Sequence, residues 1–159
     1  MIDVCLVEYR NPVHARSLVE LLDHYARDPA GGGTPLSPAV KAALPQALAE
    51  RPQAFSVLAF DDDHAIGLVN CMEGFSTFAC RPLVNLHDVV VKAGYRGQRV
   101  AQRMLARVEE EARRRGACKL TLEVLSGNRP ALRAYEREGF AGYQLDPAFG
   151  QALFLQKPL

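Results

Sequence analysis

The chain has 159 residues, of which 48% are hydrophobic and 23% are charged, and its formal net charge is +1. This length and composition predict one globular domain over residues 1–159 with a sizeable core. A net charge near zero gives no overall field for nucleic acid or an anionic membrane, and no apolar run approaches the length of a membrane span. We therefore expect no nucleic-acid partner and no membrane partner.

The N-terminus has no basic segment followed by an apolar core, so we expect no signal peptide. The cysteines are scattered and form no C-x-x-C pair: Cys5, Cys71, Cys80 and Cys118. Reduced thiols in a cytoplasmic protein fit this pattern. The histidines show no metal-ligand spacing with them, so no metal site is expected.

The first third of the chain predicts one strand and two helices. The elements are a strand over residues 2–8, a helix over 12–27 and a second helix over 38–50. Asn11 followed by Pro12, and Ser37 followed by Pro38, are helix-start signals. Pro45 should kink or split the second helix, because proline removes a backbone donor.

A hairpin and a fourth strand follow, over residues 54–60, 65–78 and 83–91. Phe75, Phe78 and Tyr143 are candidates for lining an acceptor pocket. His87 and Asp88 are ionisable residues within the apolar fourth strand, and such residues are paired, exposed or functional. Because side chains alternate along a strand, we expect these two to point to opposite faces.

The stretch from Val89 to Ala101 combines an apolar strand, a glycine turn and the start of a long amphipathic helix. Gly94 and Gly97 bracket the turn, and the helical pattern begins at Gln98. A helix that starts after such a turn points unpaired N–H groups and the positive end of its dipole beyond the strand. The pattern predicts an anion site that suits phosphate.

Residues 119–125 alternate as a fifth strand, and the strand–helix–strand connection predicts that it runs parallel to the fourth. Asn128 and Pro130 open a last helix that ends at Gly139. The apolar run over residues 152–155 predicts a final strand.

These stretches resemble the GNAT N-acetyltransferase superfamily. In its motif A, Arg or Gln precedes two residues, Gly, one residue, and then Gly or Ala; Arg96 and Ala101 match the ends, and Arg99 replaces the central glycine. Motif B is matched at every position, by Asn128, Ala131, Tyr135, Gly139 and Phe140. The resemblance covers about residues 83–143.

The resemblance implies an α/β (α+β) fold. Its central sheet would be mixed and mostly antiparallel, with about six to seven strands, about four helices on its faces, and parallel, splayed fourth and fifth strands. It also implies an acyltransferase that uses acetyl-coenzyme A as co-substrate. Many members are homodimers, and nothing in this sequence identifies an interface.

By resemblance, the coenzyme would lie against the fourth strand and the start of the following helix. Backbone amides there would hold the pyrophosphate, and the strand backbone would pair with the pantetheine arm. The expected coenzyme-binding residues are Val89, Val90, Val91, Arg96, Gly97, Gln98, Arg99, Val100, Ala101, Asn128, Ala131 and Tyr135. We expect Arg99 to enter the helix with an ordinary φ, so that it still donates its N–H.

The resemblance assigns Tyr135 as the general acid that protonates the leaving thiolate, since a phenol is protonated at neutral pH. His87 and Asp88 are both candidates for the base that takes the proton of the amine, and imidazole is better matched to neutral pH. A structural role within the strand stays open for each. Cys71 and Cys80 have no recognisable base beside them in sequence for an acyl-enzyme.

The implied reaction is direct transfer, in a ternary complex, of an acetyl group to a primary amine of a small molecule or a protein. One alternative is a transferase that uses a larger acyl-coenzyme A. Another is a coenzyme A-binding regulatory module with weak or no catalysis. The replacement of the usual glycine by Arg99 favours this alternative, and the presence of Tyr135 argues against it, because a module that only binds needs no acid. The sequence leaves the amine acceptor and the choice of base open.

Overall fold

The computed structural model describes residues 1–143 and 145–159, and these form two compact units, Met1–Leu122 and Glu123–Leu159. The strands are β1 (Ile2–Leu6), β2 (Ala54–Asp61), β3 (His64–Ser76), β4 (Arg81–Val91) and β5 (Leu120–Leu122). The α-helices are α1 (Pro12–Arg27), α2 (Pro38–Ala49), α3 (Val100–Arg114) and α4 (Arg129–Arg137). Across these two ranges, every helix is too short or too polar to traverse a lipid bilayer.

The sheet lies in the first unit, and its strands follow the order of the chain, β1-β2-β3-β4-β5. Neighbouring strands are antiparallel except β4 and β5, which are parallel as the sequence predicts. The parallel pairing covers Val84–Leu86 and Leu120–Leu122 alone, so the rest of β4 extends past it. In the part of the chain that the structure describes, the sheet therefore has an open β4 edge beyond Leu86.

The predicted count of six to seven strands is wrong for the described residues, whose sheet has five. Residues 152–155, predicted as the last strand, have irregular backbone. Leu153, Phe154 and Leu155 are all largely exposed, so the apolar run does not face a packed layer. A hydrophobic run becomes a strand only where it pairs and buries a face.

Helices α1 and α3 cover opposite faces of the sheet. Leu68 of β3 packs in one core cluster with Leu18 and Leu21 of α1. A Cβ on the neighbouring Gly67 would lie 2.9 Å from the sulfur of Met104 in α3. Because successive side chains of a strand alternate, these contacts define an α1 face and an α3 face.

The two predicted helix starts in the first third of the chain are confirmed by their side-chain caps. The Oδ1 of Asn11 accepts a hydrogen bond from the N–H of Val13 (2.9 Å), and the Oγ of Ser37 accepts one from the N–H of Val40 (3.2 Å). Helix α2 continues through Pro45 as one element, so proline does not split it.

Glu111, near the end of α3, is buried, and it accepts hydrogen bonds from Arg114 (2.6 Å) and Arg115 (2.8 Å). Arg115 also donates to Glu73 (3.0 Å) and lies over the ring of Phe55. The hydrogen bond from Arg114 is the main reason that the pKa of Glu111 falls to about 2. This ion network ties the end of α3 to β2 and β3.

The second unit contains α4, whose first turn is capped by Asn128 and whose end is followed by Gly139 in the left-handed region, with φ of 89°. The rings of Tyr135 and Phe140 meet edge to face, with centroids 5.9 Å apart. The predicted start and end of this helix are thus confirmed.

We predict that Glu111→Gln changes how stability depends on pH. A folded-state pKa near 2 lies below the usual carboxyl value, so this group's contribution is present above about pH 4.5 and is lost as pH falls toward 2. Between pH 7 and pH 3 the wild type should lose up to about 2 kcal/mol that the variant does not lose. Urea unfolding at both pH values measures this loss. Glu109→Gln, which removes an exposed ion pair of the same helix, is the matched control, and equal losses in wild type and Glu111→Gln would contradict the assignment.

Candidate active site

A β-bulge interrupts β4 at the two predicted ionisable residues. Across the β3–β4 ladder Asn70 pairs with Asp88 and Cys71 pairs with Leu86, which leaves His87 as an extra residue without a partner. A bulge breaks the regular alternation of side chains and bends the strand locally. The pattern of strict alternation, on which the sequence prediction relied, therefore does not hold here.

The bulge brings His87 and Asp88 to the same face of the sheet. Asp88 lies opposite Asn70 and Asn85 lies opposite Met72, and these two β3 residues are two apart and share the α1 face. The Nδ1 of His87 is hydrogen-bonded to the Oδ1 of Asn85. The prediction that His87 and Asp88 point to opposite faces is therefore wrong, because the extra residue shifts the alternation.

The hydrogen bonds of Asn85 fix the tautomer of His87. The Nδ2 of Asn85 donates to the Oγ1 of Thr121 on β5 (3.0 Å), so its Oδ1 faces the imidazole. An amide oxygen only accepts, so the Nδ1 of His87 must carry the proton. In the neutral ring the Nε2 then has a free lone pair, and His87 is exposed. Sequence reasoning missed Asn85 and Thr121, although a polar residue two positions before His87 in an apolar strand was a usable signal.

Asp88 is half-buried, and its Oδ2 accepts a hydrogen bond from the Nδ2 of Asn70 (3.0 Å). Asn70 is buried in the middle of β3. Among the residues that the structure describes, no lysine, arginine or histidine forms an ion pair with Asp88. The carboxylate is thus held by a neutral amide and not by an ion pair.

The end of β4 presents backbone groups on its open edge. The N–H of Lys92 bonds to the carbonyl of Ile66 on the β3 side (2.9 Å). In an antiparallel ladder the direction alternates, so Val89 and Val91 turn their N–H groups to the other edge, whereas Val90 faces β3. Val90 is also buried by its side chain. Of the three predicted coenzyme-binding residues of β4, Val89 and Val91 therefore present their N–H groups to the open edge, whereas Val90 presents its N–H group to β3.

The loop between β4 and α3 contains two left-handed residues, Gly97 with φ of 80° and Arg99 with φ of 61°. The expectation that Arg99 has an ordinary φ is wrong, because it is the residue that precedes the helix and turns the chain into it. The Nε of Arg96 donates to the carbonyl of Val91 (3.4 Å), and the side chain of Gln98 donates to the carbonyl of Gly94 (2.9 Å). The first bond ties the loop to the end of β4, and the second lies within the loop.

Helix α3 differs from the other described α-helices in its start. Side chains of Asn11, Ser37 and Asn128 cap α1, α2 and α4, whereas Arg99 makes no side-chain cap. The N–H groups of Val100 and the following residues lie in the first turn, where the helix itself supplies no acceptor. Together with the helix dipole, these amides suit an anion.

The remaining predicted site residues lie in the second unit, on α4. The Oδ1 of Asn128 accepts a hydrogen bond from the N–H of Ala131 (3.3 Å), so its Nδ2 is the group that it can offer to a ligand. Tyr135 is half-buried one turn further along the same helix. The structure thus groups Asn128, Ala131 and Tyr135 on one helix, and groups the other site residues around the end of β4.

The remaining candidates from the sequence are three aromatic residues and two cysteines. Phe75 and Phe78 are exposed at the end of β3 and in the turn after it, and Tyr143 lines a shallow depression of the second unit. Burial raises the pKa of the Cys71 thiol strongly, so this cysteine stays protonated and is a poor nucleophile. Cys80 is exposed in the β3–β4 turn. Within the described ranges, no three His, Cys, Asp or Glu side chains form a metal-binding group.

We predict that Arg99→Gly raises the free energy of unfolding by up to about 1 kcal/mol, because glycine has no Cβ penalty in the left-handed region. Urea unfolding measures the change. Gln98→Gly, at a neighbouring position outside the left-handed region, is the matched control and should destabilise the protein. A loss of stability in Arg99→Gly equal to that of the control would contradict the backbone geometry.

Comparison with known proteins supplies a family and a fold. The model of a family described as "Acetyltransferase (GNAT) family" matches residues 16–140. A streptothricin acetyltransferase of Streptomyces lavendulae is 36% identical over 90 residues, which are 55% of this chain and 48% of that relative. The match thus spans about half the length of that relative.

Solved structures with low identity share the fold over nearly the whole chain. A ribosomal-protein-alanine N-acetyltransferase from Brucella melitensis biovar Abortus 2308 has a TM-score of 0.73 at 16% identity, with 99% of each chain covered. An aminoglycoside N-acetyltransferase in complex with CoA has a TM-score of 0.76 at 16% identity, with 100% of this chain and 96% of that chain covered.

Proposed function

Because the chain belongs to the acetyltransferase (GNAT) family, we propose that it transfers an acetyl group from acetyl-coenzyme A to a primary amine. The observation that carries the proposal is the bulge in β4, which sets His87 and Asp88 on one face beside an open strand edge. In this proposal residues 1–159 act as one catalytic domain.

The donor site in this proposal is the loop between β4 and α3, with the open edge of β4. The amides of Gly97, Val100 and Ala101, with the guanidinium groups of Arg96 and Arg99, bind the pyrophosphate. The outward N–H groups of Val89 and Val91 pair with the pantetheine arm, and one of them polarises the thioester carbonyl. The uncapped start of α3 supports this assignment.

The acceptor side is the α1 face at the bulge. The amine nitrogen attacks the thioester carbon, a C–N bond forms, and the C–S bond breaks. The Nε2 of His87 takes the proton that the amine loses, and Asn85 keeps that nitrogen free by accepting a hydrogen bond from the Nδ1–H. Asp88, the second candidate base, is a carboxylate on the same face and suits a cation.

The residues of α4 complete the proposal. Tyr135 gives its proton to the departing thiolate, as family resemblance implies, and Asn128 and Ala131 hold the pantetheine arm. Acetyl-coenzyme A supplies the activated acetyl group, and direct attack needs no covalent intermediate on the enzyme. The high pKa of the buried Cys71 supports direct attack.

Amines are the acceptors that the names of the similar proteins mention, so the first panel is streptothricin, an aminoglycoside and a peptide that begins with alanine. A second candidate function is a coenzyme A-binding module without catalysis. Arg99 alone favours it, because an arginine with a left-handed backbone stands where the family usually has glycine. Binding of acetyl-coenzyme A without turnover of any amine would favour that module.

We predict that His87→Gln lowers kcat about 100-fold on the amine that the wild type acetylates fastest, with little change in acetyl-coenzyme A binding. Glutamine has about the size of the imidazole but cannot accept a proton at neutral pH. Release of free coenzyme A thiol measures the rate. His64→Gln, at the exposed start of β3, is the matched control and should keep wild-type turnover. Equal rates for His87→Gln and wild type would exclude His87 as the base.

A further inference from the structure

A chain of hydrogen bonds crosses three strands and ends at Asp88. The hydroxyl of Tyr9 lies 2.9 Å from the Oγ of Ser56 on β2. The Oγ of Ser56 donates to the Oδ1 of Asn70 on β3 (2.7 Å), and the Nδ2 of Asn70 donates to the Oδ2 of Asp88 on β4 (3.0 Å). No step of the proposed reaction uses Tyr9, Ser56 or Asn70.

The direction of this chain is fixed by the chemistry of its members. An ionised carboxylate only accepts, so Asn70 must turn its NH₂ group to Asp88 and its oxygen to Ser56. The single hydroxyl proton of Ser56 then goes to Asn70, which leaves the Ser56 oxygen to accept from Tyr9. Burial raises the pKa of Tyr9, so its hydroxyl keeps the proton that this bond needs.

The chain runs through the interior of the sheet. Ser56 is 1% exposed and Asn70 is 9% exposed, on strands whose neighbouring positions are apolar. A buried polar group costs stability unless it is hydrogen-bonded, so each link depends on the next. Such a network holds its terminal group in one orientation.

Asp88 itself forms no ion pair with any described residue. The nearby hydroxyl of Tyr25 has its pKa raised by burial, and then by the negative charges of Asp88 and Asp28. The α1 face at this point is therefore a negative site, half-buried, with one carboxylate oxygen occupied by Asn70.

We propose that Tyr9, Ser56 and Asn70 are positioning residues that hold the Asp88 carboxylate ready to bind a protonated amino group of the acceptor other than the one that reacts. This inference rests on the proposed function and names the class of its substrate, an amine with at least two positive charges. The reacting nitrogen must be neutral when it attacks, and a carboxylate stabilises the protonated form. The partner that Asp88 favours is therefore a nitrogen that stays charged.

Preorganisation explains why the carboxylate is anchored by buried groups. A side chain that is already fixed loses less rotamer freedom when the acceptor binds. If Tyr9 loses its hydroxyl, the Ser56 oxygen loses its donor, and the orientation of Ser56, Asn70 and Asp88 becomes less defined. The expected consequence is weaker acceptor binding with an unchanged chemical step.

The test compares steady-state kinetics of wild type, Tyr9→Phe and Ser56→Ala with the panel amines and acetyl-coenzyme A. For streptothricin or the aminoglycoside, which carry several amino groups, acceptor KM should rise about five- to tenfold in both variants. The values of kcat and of KM for acetyl-coenzyme A should stay within about twofold. For a peptide whose only cation is its N-terminal alanine, acceptor KM should not change.

Ser17→Ala removes another buried serine hydroxyl, from α1, and is the matched control for a loss of packing or stability. Ser56→Thr keeps the hydroxyl, so this variant should have the wild-type acceptor KM. Circular dichroism checks that it is folded. Unchanged acceptor KM in Tyr9→Phe and Ser56→Ala, or a change no larger than in Ser17→Ala, would overturn this inference alone. So would a wild type that acetylates only the singly charged peptide. A wild type that acetylates none of the amines would overturn the proposed function itself.

Discussion

Strand β4 has a β-bulge at His87, where it carries one residue more than β3 can pair with. The positions of the polar groups at this site follow from the bulge. Without the bulge, His87 and Asp88 would lie on opposite faces of the sheet. With it, the imidazole and the carboxylate share the α1 face, and each is oriented by its own amide, Asn85 or Asn70. A bulge next to a functional site is a common way to aim side chains that regular alternation would separate.

The same end of β4 also extends past its neighbouring strand, β5. Pairing with β5 stops at Leu86, so among the described residues the backbone of Val89 and Val91 faces an edge without a strand partner. The loop that follows enters α3 through a strained Arg99. An unpaired edge and a left-handed arginine both cost stability in a sheet protein. Their concentration beside the bulge is the pattern expected where a site, rather than the core, sets the local structure.

Much of the fold could be predicted from the sequence, because its signals are local. Asn11, Ser37 and Asn128 cap helices as predicted, and the parallel β4–β5 pair follows from the intervening helix. The bulge could not be predicted, since it depends on the register between β3 and β4. The hydrogen-bond chain through Ser56 and Asn70 depends on register in the same way, and it begins at Tyr9, which lies 47 residues before Ser56. The φ of Arg99 depends on how the loop closes onto α3. Apolar residues 152–155 show the opposite error, in which a local pattern predicts a strand that forms no ladder.

Binding of the donor is the claim on which the rest depends, and calorimetric titration of the purified protein with acetyl-coenzyme A tests it most directly. Coenzyme A is the second ligand and ATP the control for phosphate binding of any kind. The account predicts dissociation constants on the order of micromolar for both coenzyme A species, with ATP much weaker. Absence of binding by either coenzyme A species would contradict it, and would mean that Arg99 closes the pyrophosphate site while the fold is kept.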